Sequence, residues 1–279
     1  MDPVTQPVGL LGRYTPAERT VTLTEPAHAG PVGHVGRRTL VTTIWYPSVQ
    51  QVSTQFPLIM FGPGFQKCAG SYAPLLSAWA SAGYVVAAVN FPYTNCHSGG
   101  QDEADLINQP GDLSYALTAL LGPSKGDVPV PVNPRQVAAA GQSDGGDAVT
   151  ALAASRCCTD TRLAAVAVLS GQNSPYLAAM DFTGQGAPPM LFTQGTSDSW
   201  NAPASSFALF QADRSRARYY LRLLYASHLG PYTQVNPAHN AVVRVSVAFF
   251  GHYLLHLPGT LAAMQRAGNV PGVAQLFSG

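Results

Sequence analysis

From Pro57 onward the chain alternates short apolar runs with longer segments whose apolar residues recur at helical spacing. That alternation restricts it to an α/β architecture, a mostly parallel sheet covered by helices. The runs Leu58 to Phe61, Tyr84 to Asn90, Gln136 to Gly141, Ala164 to Ser170, Met190 to Gln194 and Arg218 to Tyr225 read as strands. Between and after them, Ser71 to Ala82, Leu113 to Leu121, Asp144 to Ser155, Ser205 to Ala212 and Asn240 to Leu255 read as helices, the first carrying Leu75, Leu76 and Trp79 at helical spacing and ending at Gly83. Thr20 to Thr24 and Thr39 to Tyr46, rich in Thr, Val and Ile, form an expected antiparallel pair around the turn-forming His28 to Gly36. The expectation is a single domain over 1–279, with eight strands and about five helices, no linker and no repeat.

Charge removes several function classes. Fifteen Lys and Arg stand against fourteen Asp and Glu, and no stretch gathers basic residues into a patch that would follow a phosphate backbone, so nucleic acid is not an expected partner. The longest apolar runs, Tyr84 to Val89 and Leu163 to Leu169, are far shorter than the roughly 20 residues of a membrane-spanning helix. No stable membrane insertion is expected. Met1 to Arg13 lacks the basic region, apolar core and cleavage site of a secretory signal. The expected location is either the cytoplasm or, with a signal already removed, outside the cell. Four cysteines are too few for a disulfide scaffold and match no Cys/His zinc spacing.

The sharpest local feature is Gly141-Gln142-Ser143-Asp144-Gly145, a G-x-S-x-G pentapeptide between a strand and a helix. A sharp turn needs small residues beside the serine, so that its hydroxyl stands clear of the sheet. The helix behind it aims backbone N–H groups at developing negative charge. The competing reading is an ordinary glycine-rich strand-to-helix turn.

A nucleophilic serine needs a base, and the base a carboxylate that holds its tautomer. In this type of site the chain order is Ser, Asp or Glu, then His. Asp144, Asp147, Asp160, Asp181, Asp198 and Asp213 follow Ser143. Asp198, in the loop Gly195-Thr196-Ser197-Asp198 at a strand's carboxyl end, is the first choice, with Asp181 in reserve. His228, in Ala226-Ser227-His228-Leu229-Gly230 just past the last strand, is the expected base and His239 the alternative; His252 and His256 belong to the closing helix. For the oxyanion, the N–H of Asp144 supplies one donor and that of Phe65, in Phe61-Gly62-Pro63-Gly64-Phe65, the second. Gly62, Gly64 and Lys67 fail the dinucleotide spacing, and neither a Walker sequence nor HExxH occurs. No metal or organic cofactor is expected.

With these motifs in place, the chain resembles the α/β-hydrolase superfamily, and within it the group of cutinase-like polyester hydrolases, plasma-type platelet-activating-factor acetylhydrolases and chlorophyllases. The resemblance runs from about Leu40 to Leu255 and rests on Trp45-Tyr46-Pro47, Gly62-Pro63-Gly64-Phe65, Ala82-Gly83-Tyr84-Val85-Val86, the Ser143 pentapeptide, Gly195 to Asp198, and His228. It implies a mostly parallel eight-stranded α/β-hydrolase sheet with an antiparallel N-terminal strand, helices on both faces, Ser143, Asp198 and His228 as triad, and Phe65 and Asp144 as oxyanion donors. Polyester hydrolases of the group carry His before and Met after the nucleophile, and a Trp after the sixth strand. Here Gln142, Asp144 and Gly171-Gln172-Asn173 stand at those places, so polyesters are expected to be cleaved only weakly.

The expected activity is serine carboxylic-ester hydrolysis through an acyl-enzyme, on a small-molecule or polymeric ester. The short connection from Gly171 to Pro189 holds no large cap domain, so the site should be open, lined by Phe65, Tyr176 and Trp200, and prefer short acyl groups. The alternatives are acyl transfer or peptidase action with the same triad, and a binding protein that keeps the fold without catalysis. In the strand order usual for the fold, Cys68 and Cys96 lie just beyond neighbouring strands, which suggests a disulfide and hence an oxidising compartment. Cys157 and Cys158 are then either free or an adjacent pair.

Overall fold

The computed structural model describes residues 11–30, 33–50, 54–99, 101–177, 182 and 187–279. Strand β1 (Thr15–Glu25) buries Val21 and Leu23 and turns its threonines outward, the alternation of a sheet edge with one covered face. A small ribbon, β2 (His28–Gly30) with β3 (Gly33–Val35), occupies the segment expected as a plain turn. After β4 (Arg38–Ser48) the chain enters β5 (Phe56–Gly62), whose residues are all buried. Helix α1 (Ala73–Ser81) begins with Pro at its first turn and ends ahead of Gly83, which takes φ 97°.

Next come β6 (Val85–Asn90), α2 (Gln109–Leu121), β7 (Val132–Gln142), α3 (Asp144–Ala154), β8 (Leu163–Leu169), β9 (Met190–Gly195), α4 (Pro203–Ala212) and β10 (Arg218–Leu223). The chain closes with α5 (Gly230–Thr233), α6 (Pro237–Tyr253), α7 (Thr260–Gly268) and β11 (Ala274–Ser278).

The main sheet has nine strands in the order β1-β4-β6-β5-β7-β8-β9-β10-β11. From β6 to β10 every pairing is parallel, while β1, β4 and β11 run antiparallel to their neighbours. The eight strands expected are thus corrected to nine in this sheet plus the ribbon, and the five helices to seven, among the described residues. Sheet side chains alternate between two apolar layers. Leu58, Met60, Val85 and Ala87 pack with residues of α2, α3 and α4, while Ile59, Phe61, Val86 and Ala88 pack with α1, α6 and α7. Both faces of the sheet are therefore covered, as expected. Among the described residues no helix is long and apolar enough to cross a membrane.

Because β5 to β10 are parallel, their carboxyl ends share one edge of the sheet, and the loops that leave β5, β7, β9 and β10 carry Phe65, Ser143, Asp198 and His228 to that edge. At the same edge Cys68 and Cys96 form the suggested disulfide, with Cα atoms 5.3 Å apart, joining the loops after β5 and β6. Cys157 and Cys158 are bonded to each other beyond α3.

A buried cation ties the sheet to its helical cover. Arg38, 3% exposed at the start of β4, donates from Nε and Nη2 to Asp112 at 2.6 and 2.7 Å and from Nη1 and Nη2 to Asp105 at 2.8 and 2.6 Å. It ties the sheet to α2 and to the 3-10 turn before it. Removing one partner of a buried ion pair strands the other charge in a poor solvent. Arg38→Met should lower unfolding free energy by roughly 3 to 5 kcal/mol in urea titrations. A change below about 1 kcal/mol would mean that the two carboxylates find other partners.

Candidate active site

Ser143 follows the last residue of β7 and precedes the first of α3, with φ 55° and ψ −123°. A non-glycine residue with positive φ stores strain, and packing must hold it. Three glycines supply that packing. A Cβ on Gly141 would stand 2.0 Å from the Gly145 carbonyl oxygen, and one on Gly145 would stand 1.9 Å from the Gly62 carbonyl oxygen. No side chain fits in either place, so β5, β7 and the first turn of α3 meet backbone to backbone. Ser143 N–H donates to Leu169 O at 2.9 Å, and Ser143 O accepts from Asp147 N–H at 2.9 Å.

The His228 ring, 7% exposed, places Nδ1 2.7 Å from Asp198 Oδ2. Asp198 is fully partnered. Its Oδ2 also accepts from Gln194 Nε2 at 2.8 Å, and its Oδ1 accepts from the Trp200 and Asn201 N–H groups at 2.9 and 3.0 Å. Burial works to raise the Asp198 carboxyl, but the His228 hydrogen bond, the Asn201 amide, the His228 charge and the Trp200 amide outweigh it and hold it below its ordinary value. Asp198 therefore stays a carboxylate and keeps the proton of a neutral imidazole on Nδ1, leaving the Nε2 lone pair as the acceptor.

The loop Gly62 to Phe65 runs against the Ser143 turn, where a Cβ on Gly64 would lie 3.0 Å from Ser143 Cβ. Among the described residues neither Phe65 N–H nor Asp144 N–H donates to a protein acceptor, the latter because it opens the first turn of α3. The indole of Trp200, 79% exposed, lies nearly parallel to the His228 ring at 13° and 6.1 Å. A half-buried serine, an imidazole oriented by a carboxylate and two free amide donors are the groups that acyl transfer uses, although among the described residues His228 Nε2 meets Gln142 Nε2 at 3.1 Å and Ser143 Oγ makes no hydrogen bond to it.

Ser143, Asp198, His228, Phe65, Asp144 and Trp200 thus come to one edge of the sheet. Tyr176, 40% exposed, makes no hydrogen bond or ring contact with Ser143, Asp198 or His228. Asp181 lies outside the described residues, as does much of the Gly171 to Pro189 connection. His239 is spent elsewhere. Its Nδ1 lies 3.1 Å from Pro231 O, and burial pulls the ring below its ordinary value against the pull of that bond. His252 meets Thr260 at 3.3 Å and joins α6 to α7.

Sequence reasoning missed the polar side chains that hold the site. Gln194 Nε2 fixes Asp198, and Asn201, whose backbone N–H also binds Asp198, donates from Nδ2 to Ser170 O at 2.7 Å. Asp147, one turn into α3, accepts from Gln172 N–H at 2.6 Å and pins the loop after β8. Gln142 and Tyr72 link the Gly62 to Phe65 loop to His228. None of these follows a hydrophobic period; the one available signal is a polar residue closing an apolar strand, as Gln142 and Gln194 do. No protein-family model matches the chain, and comparison with curated proteins finds no relative.

Asp144 departs from this order, because its Oδ2 is buried without a partner. Burial, and then the charge of Glu103, push its carboxyl up to about 7 against the pull of His228. The folded protein therefore holds a proton that the unfolded chain releases near the ordinary carboxylate value, and stability falls as pH rises through that window. Asp144→Asn removes this liability. Its urea midpoint, relative to that of the unaltered protein, should climb between about pH 4 and 7 and level off above. A difference independent of pH would show that Asp144 ionises as in water.

Proposed function

We propose that the protein is a serine carboxylic-ester hydrolase of the α/β-hydrolase fold. The observation that carries the proposal is the conjunction of a strained, glycine-packed Ser143 at a strand-to-helix turn with a His228–Asp198 hydrogen bond of 2.7 Å at the same sheet edge. Strand order, with a parallel core flanked by antiparallel strands and helices on both faces, agrees with that fold.

In the proposed reaction His228 Nε2 takes the Ser143 proton as Oγ attacks the ester carbonyl. The developing oxyanion sits against the Phe65 and Asp144 N–H groups, and Asp198 stabilises the imidazolium. The imidazolium then gives its proton to the leaving alcohol. Water, deprotonated by the same ring, releases the acid. Trp200 beside the base offers an exposed aromatic surface to the substrate. Two disulfides agree with an oxidising compartment.

The test is hydrolysis of p-nitrophenyl esters of graded acyl length. An open site leaves each added methylene partly in water, so kcat/KM should be highest at about two to six acyl carbons. His228→Ala and Asp198→Ala should each lower turnover by roughly a thousandfold or more, since triad members act as a unit. Near-normal turnover in the His228 variant would remove the proposed base. A steady rise of kcat/KM toward long chains would require an enclosed acyl tunnel.

A further inference from the structure

Between the oxyanion loop and the base lies a continuous chain of buried hydrogen bonds. Gly64 N–H donates to Tyr72 Oη at 3.1 Å, and Tyr72 Oη donates in turn to Gln142 Oε1 at 2.7 Å. At the other end of the same amide, Gln142 Nε2 donates to His228 O at 3.2 Å and stands 3.1 Å from His228 Nε2. Tyr72 and Gln142 are wholly buried. Only a donor satisfies a carbonyl oxygen, so the nitrogen end of the amide faces His228. With Asp198 on Nδ1, its second hydrogen meets the Nε2 lone pair.

We propose that Gln142, the residue before the nucleophile, is a positioning residue that couples the oxyanion loop to the base; this rests on the serine-hydrolase reading above. Its carbonyl end sets Gly64, and with it the Phe65 N–H, through the Tyr72 hydroxyl. Its amide end anchors the His228 backbone and holds the ring by a bond that must be exchanged for Ser143 Oγ–H when the reaction begins. Burial raises Tyr72 far above any working pH, so its hydroxyl remains a donor throughout. Spacing agrees with the role. A Cβ on Gly64 would come within 2.7 Å of Gln142 Oε1 and 3.0 Å of Ser143 Cβ, so glycine at 64 lets the loop close onto the amide without displacing it.

The two ends of the amide predict different kinetic signatures. A hydrogen bond from Gln142 to Nε2 exists only while the ring is neutral, and so opposes protonation of the base. The charged groups around the ring, Asp198 at Nδ1 and Asp144 on α3, the latter under the field of Glu103, are left in place by the variants below.

The experiment is a double-mutant cycle of Gln142→Met and Tyr72→Phe on a short p-nitrophenyl ester, with active sites counted by the p-nitrophenol burst so that unfolded protein does not enter kcat. Tyr72→Phe cuts only the loop arm. It should lower kcat roughly tenfold to a hundredfold, leave KM within about threefold, and leave the acid limb of kcat/KM where it was. Gln142→Met cuts both arms, so it should lower kcat at least as far and move the acid limb up by about half a pH unit or more. The double variant should match Gln142→Met within about threefold, because both changes break one chain. Multiplicative losses, or an acid limb that Gln142→Met leaves unmoved, would overturn the proposal. In the unaltered protein the Gln142 side-chain amide hydrogens should exchange at least roughly a hundredfold more slowly than those of an exposed glutamine, and exchange at the exposed rate would overturn it without any variant. Ser143→Ala separates the two readings. If that variant still turns the ester over at the full rate, the serine-hydrolase reading fails; if it is dead and the cycle is multiplicative, only the role of Gln142 fails.

Discussion

The site depends on one steric constraint, the backbone contact among Gly62, Gly141 and Gly145. These residues belong to β5, β7 and α3, and the distances of 1.9 and 2.0 Å that a Cβ would make on Gly145 and Gly141 leave no room for any other residue at those two positions. Their contact lets α3 begin directly above the sheet and drives Ser143 to φ 55°, at a cost of about 1 to 3 kcal/mol that the surrounding structure must offset. It also draws the loop after β5 alongside the turn, so that the Phe65 and Asp144 amides are left, among the described residues, without protein acceptors. Neither the serine's exposure nor the pair of free donors would survive if the elements stood a side chain apart.

Around this contact the polar groups divide into those the fold satisfies and those it leaves open. Asp198 accepts four hydrogen bonds, from His228, Gln194, Trp200 and Asn201, and so is rigid, ionised and unable to follow the imidazole elsewhere. Asp147 binds the loop after β8, and Gln142 spans from Tyr72 to His228. Among the described residues, the groups left open include the Ser143 hydroxyl, the two amide donors, Asp144 Oδ2 and Gln194 Oε1. A buried polar group without a partner is costly, so Asp144 Oδ2 and Gln194 Oε1 are held open at the expense of stability beside Ser143 and Asp198.

Much of the framework was readable because buried parallel strands leave continuous apolar runs. Leu58 to Phe61, Tyr84 to Asn90 and Met190 to Gln194 fall on β5, β6 and β9. Elements held by pairing rather than burial left weaker signals. β1 begins at Thr15 with an exposed half, the ribbon of β2 and β3 has three residues a side, and β11 carries only Ala274 and Leu276 into the core. Ser143, Asp198 and His228 were legible from motif and chain order, each at a strand's carboxyl end. The roles of Gln142, Tyr72, Gln194 and the Arg38 ion pairs were not, since a buried polar contact has no period along the chain, whether it joins distant residues, as with Tyr72 and Gln142 or Arg38 and Asp112, or near ones, as with Gln194 and Asp198.

The central claim is that Ser143 is the nucleophile, and the most direct measurement is peptide mass spectrometry after treatment with a fluorophosphonate, which reacts quickly only with a serine hydroxyl activated by a base. The account predicts one phosphonyl group per chain, carried by the peptide that contains Ser143 and lost in Ser143→Ala. Stoichiometric labelling of any other residue, or a Ser143→Ala protein labelled at the unaltered rate, would contradict it.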